Sequence, residues 1–599
     1  MSTAMWVAWG AMAGFVGVYG WVWEKAGARW RAWMEWGLVM LVAGVSLASV
    51  ATHEPWRDEL HAWVQAKEMG LGALWMEMAC EGHFLPWYLL LWPLAHSGAP
   101  VWSMGAVSWG LNAVAVGWLA RRSPLTGWEK AAAGVSCLFL YVNPVISRCY
   151  VLVPLALWGV ASLWERRDER PVAFGLWVAL LANTHLYMEG AAVTLFMVFA
   201  WKNVLGRKDG RGWRDCRWQW AGLGVMAAGG ALALAQVLPS LWKSAVPPGY
   251  GGAFWEDSTW FFRTCVSRWG MVALLAGLAG VGGVAWRKDR GAFGVYVGAL
   301  AYMWGFSVFL YHAGITNRSL LWWPVVLFAA WVAAGKGGGA CWRVVAVVAA
   351  GVSIARPDMT WADWRLEYDP LPGACRWIAE RYGEDVEVWI NGDDYATEPA
   401  AVYLVNVKDW RTGEKARPTN WSAEAAKHVV PPFRACREAV FRTFPEQASF
   451  LALGSCWEFS GLEEGDSMLP GVEVERTWMP TLNGSSVGLV LMRVNRWGGE
   501  WMSTAMLCYQ KGDRERAVAA WTRAAEEDDG HWAAMNNLAW VLLEEGRVAE
   551  AREWIDRAMA DAAAKENPGV RDTEAAVRRA ESKLSMQDAP MNDTMGKGE

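Results

Sequence analysis

Residues 53–83 read HEPWRDELHAWVQAKEMGLGALWMEMACEGH. They are the first polar interruption after an apolar run, yet they hold too much Trp, Met and Leu for a freely solvated loop. Pro55 suits the opening of a helix and Gly70 its end. Between them Trp56, Leu60, Trp63 and Val64 share one helical face, and Asp58, His61, Gln65 and Glu68 share another. That is the pattern of an interfacial amphipathic helix. On this reading the apolar face lies in lipid headgroups and Asp58 looks into a cavity enclosed by the later spans. The plainer alternative is a juxtamembrane helix whose acids are merely solvated.

The rest of the chain supports a membrane setting. Of its 599 residues 54% are hydrophobic, with 47 Trp and 62 Gly, and charge is sparse up to about residue 356 and dense afterwards. A net charge of −5 gives no argument for nucleic acid as a partner. The ten cysteines show no CxxC pair and no zinc-ligand spacing, while Cys375, Cys436, Cys456 and Cys508 could pair if their part is exported. The N-terminus lacks a signal-peptide pattern, so 4–23 reads as a retained span.

Candidate spans are roughly 4–23, 36–52, 84–120, 129–145, 149–164, 171–188, 190–205, 218–238, 269–286, 291–311, 320–335 and 343–355. Basic connections at 25–31, 121–122, 165–170, 202–217, 287–290 and 336–343 alternate with less basic ones at 53–83, 143–150, 185–190, 239–268 and 312–319. Positive-inside bias places the basic set in the cytoplasm, and so 53–83 and everything after 356 outside. The stretch 84–96, short and broken by Pro86 and Pro93, reads as re-entrant or interfacial, the alternative being two full spans across 84–120.

After residue 356 the pattern is that of a soluble α/β domain over 357–497, with a helix at 377–381 and strands near 386–390, 450–453 and 487–494. Gly512, Ala517 and Ala524 recur as Gly546, Ala551 and Ala558, each displaced by 34, with Cys508 answered by Leu542 and Trp521 by Ile555. That period with those small residues is the tetratricopeptide signature, covering 498–585 before a tail at 586–599 that reads as disordered. The expected fold is mainly α: a polytopic helical membrane bundle of about 12 spans, an exported α/β domain and a C-terminal tetratricopeptide helical repeat.

Charged groups at the rim of a helical bundle are costly unless they face a cavity. The outer connections carry Asp58, Glu59, Glu81, His83, Arg148, Tyr150, His185, Lys243 and Arg318. An acid with several cations beside a lipid-accessible cavity suits transfer of a group from a lipid phosphate. The carboxylate takes a proton from an acceptor hydroxyl, and Arg or Lys stabilises the departing phosphate. No Ser-His-Asp constellation, Walker loop or HExxH is evident.

RDELHAW after an early span, EGHFLPWYLLL closing that loop and SRCY at an outer helix end resemble the C-type polytopic glycosyltransferases. That family includes the protein O-mannosyltransferases and the aminoarabinose transferase of lipid A, and the resemblance covers about 36–400. It implies a polyprenyl-phosphate sugar as donor, inversion at the sugar, Asp58 as base or acceptor-orienting acid with Glu59 beside it, and phosphate held by Arg148, Lys243 and Arg318. Glu81, His83, Tyr150 and His185 complete the expected substrate-binding set. Relatives often have His followed by Pro, whereas here His83 is followed by Phe84, Leu85 and Pro86, which leaves the divalent metal of some relatives open. The expected protein is a multi-pass inner-membrane transferase acting on the outer face, with membrane lipid, a lipid-linked donor and a protein recruited by the repeats as partners. Its rivals are a non-catalytic scaffold anchored by the bundle, and a transporter of lipid-linked glycan.

Overall fold

The computed structural model describes residues 3–78, 83–205, 216–242, 268–309, 320–337, 340–365, 369–390, 400–409, 413–416, 449–455, 472–478, 489–495, 498–527 and 531–587. The chain divides into two compact units. The first holds 1–377, and the second holds most of the chain beyond residue 377.

The first unit is helical. It begins with α1 (Thr3–Lys25), α2 (Ala28–Thr52), α3 (Arg57–Glu68), α4 (Leu71–Glu77), α5 (Leu85–His96), α6 (Ser103–Arg122) and α7 (Gly127–Gly134). Then come α8 (Leu152–Leu163), α9 (Pro171–Ala182), α10 (Glu189–Ala200), α11 (Arg217–Trp242), α12 (Arg268–Lys288) and α13 (Arg290–Phe309). It ends with α14 (Trp322–Gly335), α15 (Ala340–Ser353) and α16 (Pro357–Asp363).

Among the described residues five helices are long and apolar enough to cross a membrane: Ala28–Thr52, Arg217–Leu238, Gly270–Lys288, Arg290–Val308 and Cys341–Trp361. The expectation of about 12 spans is therefore corrected. The apolar stretch 129–145 leaves α7 at Gly134, tightens into a π-turn at Leu138–Val142 and meets Pro144. α8 and α9 have 12 residues each and α14 has 14. A 12-residue helix is about 18 Å long against about 30 Å of hydrocarbon. Buried among the others, α7, α8 and α14 make the centre of the core. Composition marks a helix as apolar but does not say whether lipid or protein covers it.

Small residues set the closest helix approaches. A Cβ on Gly175 of α9 would come within 2.6 Å of the Gly222 carbonyl oxygen in α11, and one on Gly277 of α12 within 2.7 Å of the Ala346 carbonyl oxygen in α15.

The basic connections gather at one end. Glu35 of α2 takes Arg121 at 2.8 Å and Lys130 at 2.6 Å. Lys130 lies over the Trp23 ring, beside the 25–31 turn. Arg343 pairs with Glu129, Lys202 and Lys336 reach Asp289, Lys336 also reaches Glu165, and Gln219 donates to the Asp168 carbonyl. Trp30, Trp33, Trp201, Trp218, Trp286 and Trp342 are exposed in or beside these connections, as an interfacial belt requires.

His53 closes the opposite end of α2, where α6 also begins, since a Cβ on Gly105 would lie 3.1 Å from Val50. α6 thus runs antiparallel to α2, and the 12 residues of α5, with Pro93 inside, start beside His83 at that same end.

The second unit carries a five-stranded sheet of order β2-β1-β3-β5-β4: β1 (Glu387–Ile390), β2 (Asn406–Asp409), β3 (Ser449–Ser455), β4 (Val472–Trp478) and β5 (Leu489–Asn495). β1 is parallel to β2 and β3, and the β3–β5 and β4–β5 pairs are antiparallel. Val388–Ile390 and Leu489–Met492 are buried without alternation, so both faces of the centre are covered. β2 and β4 lie where no strand was expected. Cys375 is a buried free thiol, Cys508 is buried, and Cys436 and Cys456 lie outside the described residues.

The repeat folds as two helical hairpins, α17 (Gly498–Gln510) with α18 (Arg514–Glu527) and α19 (Trp532–Glu544) with α20 (Val548–Ala558). Gly512 and Gly546, 34 apart, turn each hairpin at φ 80° and 77°, a left-handed conformation that favours glycine. Ala517, Ala524, Ala551 and Ala558 are fully buried, and Trp521 and Ile555 occupy equivalent core places. The helix α21 (Pro568–Gln587) caps the stack, clamped by Arg552 to Glu581 at 2.5 Å. The tail expected at 586–599 lies almost wholly outside the described residues.

Candidate active site

The site is built at the His53 end of the first unit. Trp56 is the N-cap of α3, two residues earlier than Asp58, and Glu59 folds back to accept the Trp56 amide at 3.1 Å. Trp56, Leu60, Trp63 and Val64 are buried, and they pack inside the protein rather than in lipid headgroups. The cause is tertiary: α5 folds back on α3, and Trp92 donates to the Met69 carbonyl at 3.1 Å. The apolar stripe anchors the acids to the core, and Asp58 itself is half-buried.

Glu59 is fully buried and both its oxygens are hydrogen-bonded. Oε1 accepts the Ser147 amide at 2.5 Å, and Oε2 meets His53 Nε2 at 2.9 Å. His53 Nδ1 lies 3.2 Å from Asp363 Oδ1, at the end of α16. An imidazole between two buried carboxylates holds its proton. Burial alone would push His53 down, but Glu59 and Asp363 outweigh it and raise it to about 10. The Asp363–His53–Glu59 relay ties the last span's exit to the first turn of α3, and Asp363 Oδ2 is left buried with no hydrogen-bond partner.

Arg148, only 4% exposed, follows the residue whose amide Glu59 accepts. Its Nη1 donates to the Asp58 carbonyl, and its Nη2 lies 2.9 and 3.0 Å from the two ring nitrogens of His83. Arginine has no acceptor, so the nitrogen it bonds carries no proton. His83 Nε2 is 3.4 Å from the Tyr150 hydroxyl, and His83 pairs with His185 in an isolated antiparallel bridge. The His83, Tyr150 and His185 rings meet at 5.1 to 5.8 Å between centroids. His185 stacks on Tyr187 and accepts its amide at Nδ1.

Six of the residues singled out in the sequence therefore share one cluster: Asp58, Glu59, His83, Arg148, Tyr150 and His185. Glu81, Lys243 and Arg318 lie outside the described residues. His53 and Asp363 were not anticipated. They are 310 residues apart, and no local pattern links them.

Glu59 is already taken by two amides and an imidazolium, and no group of three His, Cys, Asp or Glu among the described residues is placed to hold a metal ion.

Residues 504–568 match the tetratricopeptide repeat family. No curated protein matches the chain.

Proposed function

We propose that the protein is a membrane glycosyltransferase that moves a sugar from a polyprenyl-phosphate carrier to an acceptor hydroxyl at the face bearing Asp58. The observation that carries this reading is the convergence of Asp58, Arg148, His83, Tyr150 and His185 from four chain segments at the end away from the basic connections. By the positive-inside rule the basic end is cytoplasmic, which makes the Asp58 end extracytoplasmic in an inner membrane.

Asp58 takes the proton of the acceptor hydroxyl as its oxygen bonds to the anomeric carbon. The carbon–oxygen bond to the carrier phosphate breaks, and polyprenyl phosphate leaves with the electron pair. Arg148 braces the Asp58 backbone and adds positive charge beside it, while Lys243 and Arg318 are the cations assigned to the phosphate. Glu59 is a positioning residue, since it is fully buried and held by the Ser147 and Trp56 amides and by His53.

The test is transfer of labelled sugar from the lipid-linked donor in membranes carrying Asp58→Asn. Loss of transfer with normal protein level is expected, and undiminished transfer would falsify the assignment of the base.

The tetratricopeptide match favours a second reading, a scaffold anchored by the bundle and acting through the repeats, which commonly mediate protein interactions. In the transferase the repeats would recruit the acceptor protein. The scaffold requires that deleting 498–599 abolish function and that Asp58→Asn leave it intact.

A further inference from the structure

At the basic end, remote from the Asp58 cluster, a groove of about 1160 Å³ opens between α2, α6, α8 and α14. Trp36, Trp118 and Trp331 line it with Gly117, and its charged groups are Arg121, Arg122 and Glu165. The volume exceeds the roughly 300–1,000 Å³ of a small-molecule pocket, and the lining is aromatic with charge added by a helix end.

The charge is not balanced. Glu35 is shared by Arg121 and Lys130, so one carboxylate serves two cations. Glu165 already has Lys336 at 3.6 Å. Arg122 is exposed and adds a further positive charge. Trp36, half exposed on α2, lies under the Arg121 guanidinium at 5.6 Å and belongs to the same interfacial belt.

We propose that this groove binds an anionic phospholipid, its phosphate on Arg122 and Arg121 and an acyl chain along Trp118 and Trp331. An excess of fixed positive charge at the end of apolar helices recognises a phosphodiester, and the aromatic lining takes a chain that no free anion carries. The inference rests on the membrane setting and not on sugar transfer, so either can fail without the other.

Native mass spectrometry of the full chain, released from detergent with phosphatidylglycerol or phosphatidylcholine of identical acyl chains, tests it. Phosphatidylglycerol should be retained about fivefold more than phosphatidylcholine, the worth of about one basic residue at a membrane surface. Arg122→Gln should bring the two close to parity. Gly117→Leu should reduce phosphatidylglycerol retention at unchanged thermal stability, because Gly117 lines the groove and a Cβ there meets nothing within 4 Å. Equal retention of both lipids, an unchanged preference in Arg122→Gln, unchanged phosphatidylglycerol retention in Gly117→Leu, or displacement of phosphatidylglycerol by inorganic phosphate would overturn the proposal.

Discussion

At the basic end of the first unit, Glu129 accepts Arg343 at 2.7 and 3.2 Å and the Thr126 amide and hydroxyl at 2.8 and 2.9 Å. At the Asp58 end, Glu59 is just as deeply buried but is held by two backbone amides and an imidazole. Both carboxylates are hydrogen-bonded at both oxygens, yet the partners differ in kind. The Arg343 guanidinium stays charged at any working pH, so its pair with Glu129 is a permanent staple. Histidine can lose its proton, and the other end is built around three histidines and an acid in the first turn of a helix. Fixed ion pairs hold helices in place, whereas titratable groups beside a half-buried carboxylate are what proton transfer requires.

That contrast can be broken by experiment. The largest effect expected is on rate: Asp58→Asn should lower sugar transfer by about a hundredfold or more, the usual worth of a general base, with no change in Tm. A fall in Tm of the size seen for Glu59→Gln would make Asp58 structural and erase the distinction between the neighbours. Next come the two buried acids. Glu129→Gln should cost about 3–5 kcal/mol in stability, because it leaves the buried Arg343 facing a neutral amide, and Glu59→Gln should cost less, because His53 keeps Asp363. Only Glu59→Gln should also reduce transfer per folded molecule. A catalytic loss in Glu129→Gln would show that the ends are coupled.

The pH dependence separates the ends by sign. His53 is raised from 6.5 to about 10, so its stabilising contribution is complete below about pH 6.5 and is lost as the pH rises to 10. Asp289 goes the other way. Burial would raise it, but Lys336, the Trp164 indole N–H and the Ala292 amide hold it below the usual carboxylate range. Its contribution is present above pH 3.8 and is lost as the pH falls below that value. Thermal melts across pH should therefore show an alkaline slope that His53→Gln flattens and an acid slope that it leaves alone. An alkaline slope unaltered in His53→Gln would remove the imidazolium from the account. The smallest effect belongs to Lys336→Gln, at most about 1 kcal/mol, since Lys336 is 34% exposed and Asp289 keeps its other donors. A loss as large as that of Glu129→Gln would mean that this exposed pair is a staple too.

Some of this was legible beforehand because it is local. The 34-residue repeat needs only small residues at fixed offsets, and its two glycines take the left-handed turns that the period demands. The alternation of basic and less basic connections likewise foreshadowed the charged end, since each connection carries its own sign. Residues 53–83 announced a helix with two faces, and α3 has them. What covers those faces was not legible. The headgroup reading failed because α5, from 17 residues beyond the end of α3, supplies a protein surface instead. The count of spans failed because hydropathy does not register where helices end early, as at Gly134 and at the π-turn before Pro144, leaving pieces shorter than a bilayer.

Sequence by itself determined where helices form, which carry charge at their ends, where the repeat lies and which side chains were worth watching, since each depends on spacing along the chain. Only the tertiary structure decided that Glu59 is a brace while Asp58 is left half-buried, that His53 joins Asp363 across the unit, and that Arg148 reaches His83. Those distinctions depend on which distant groups satisfy a buried charge, and desolvation makes that choice only when the chain is packed.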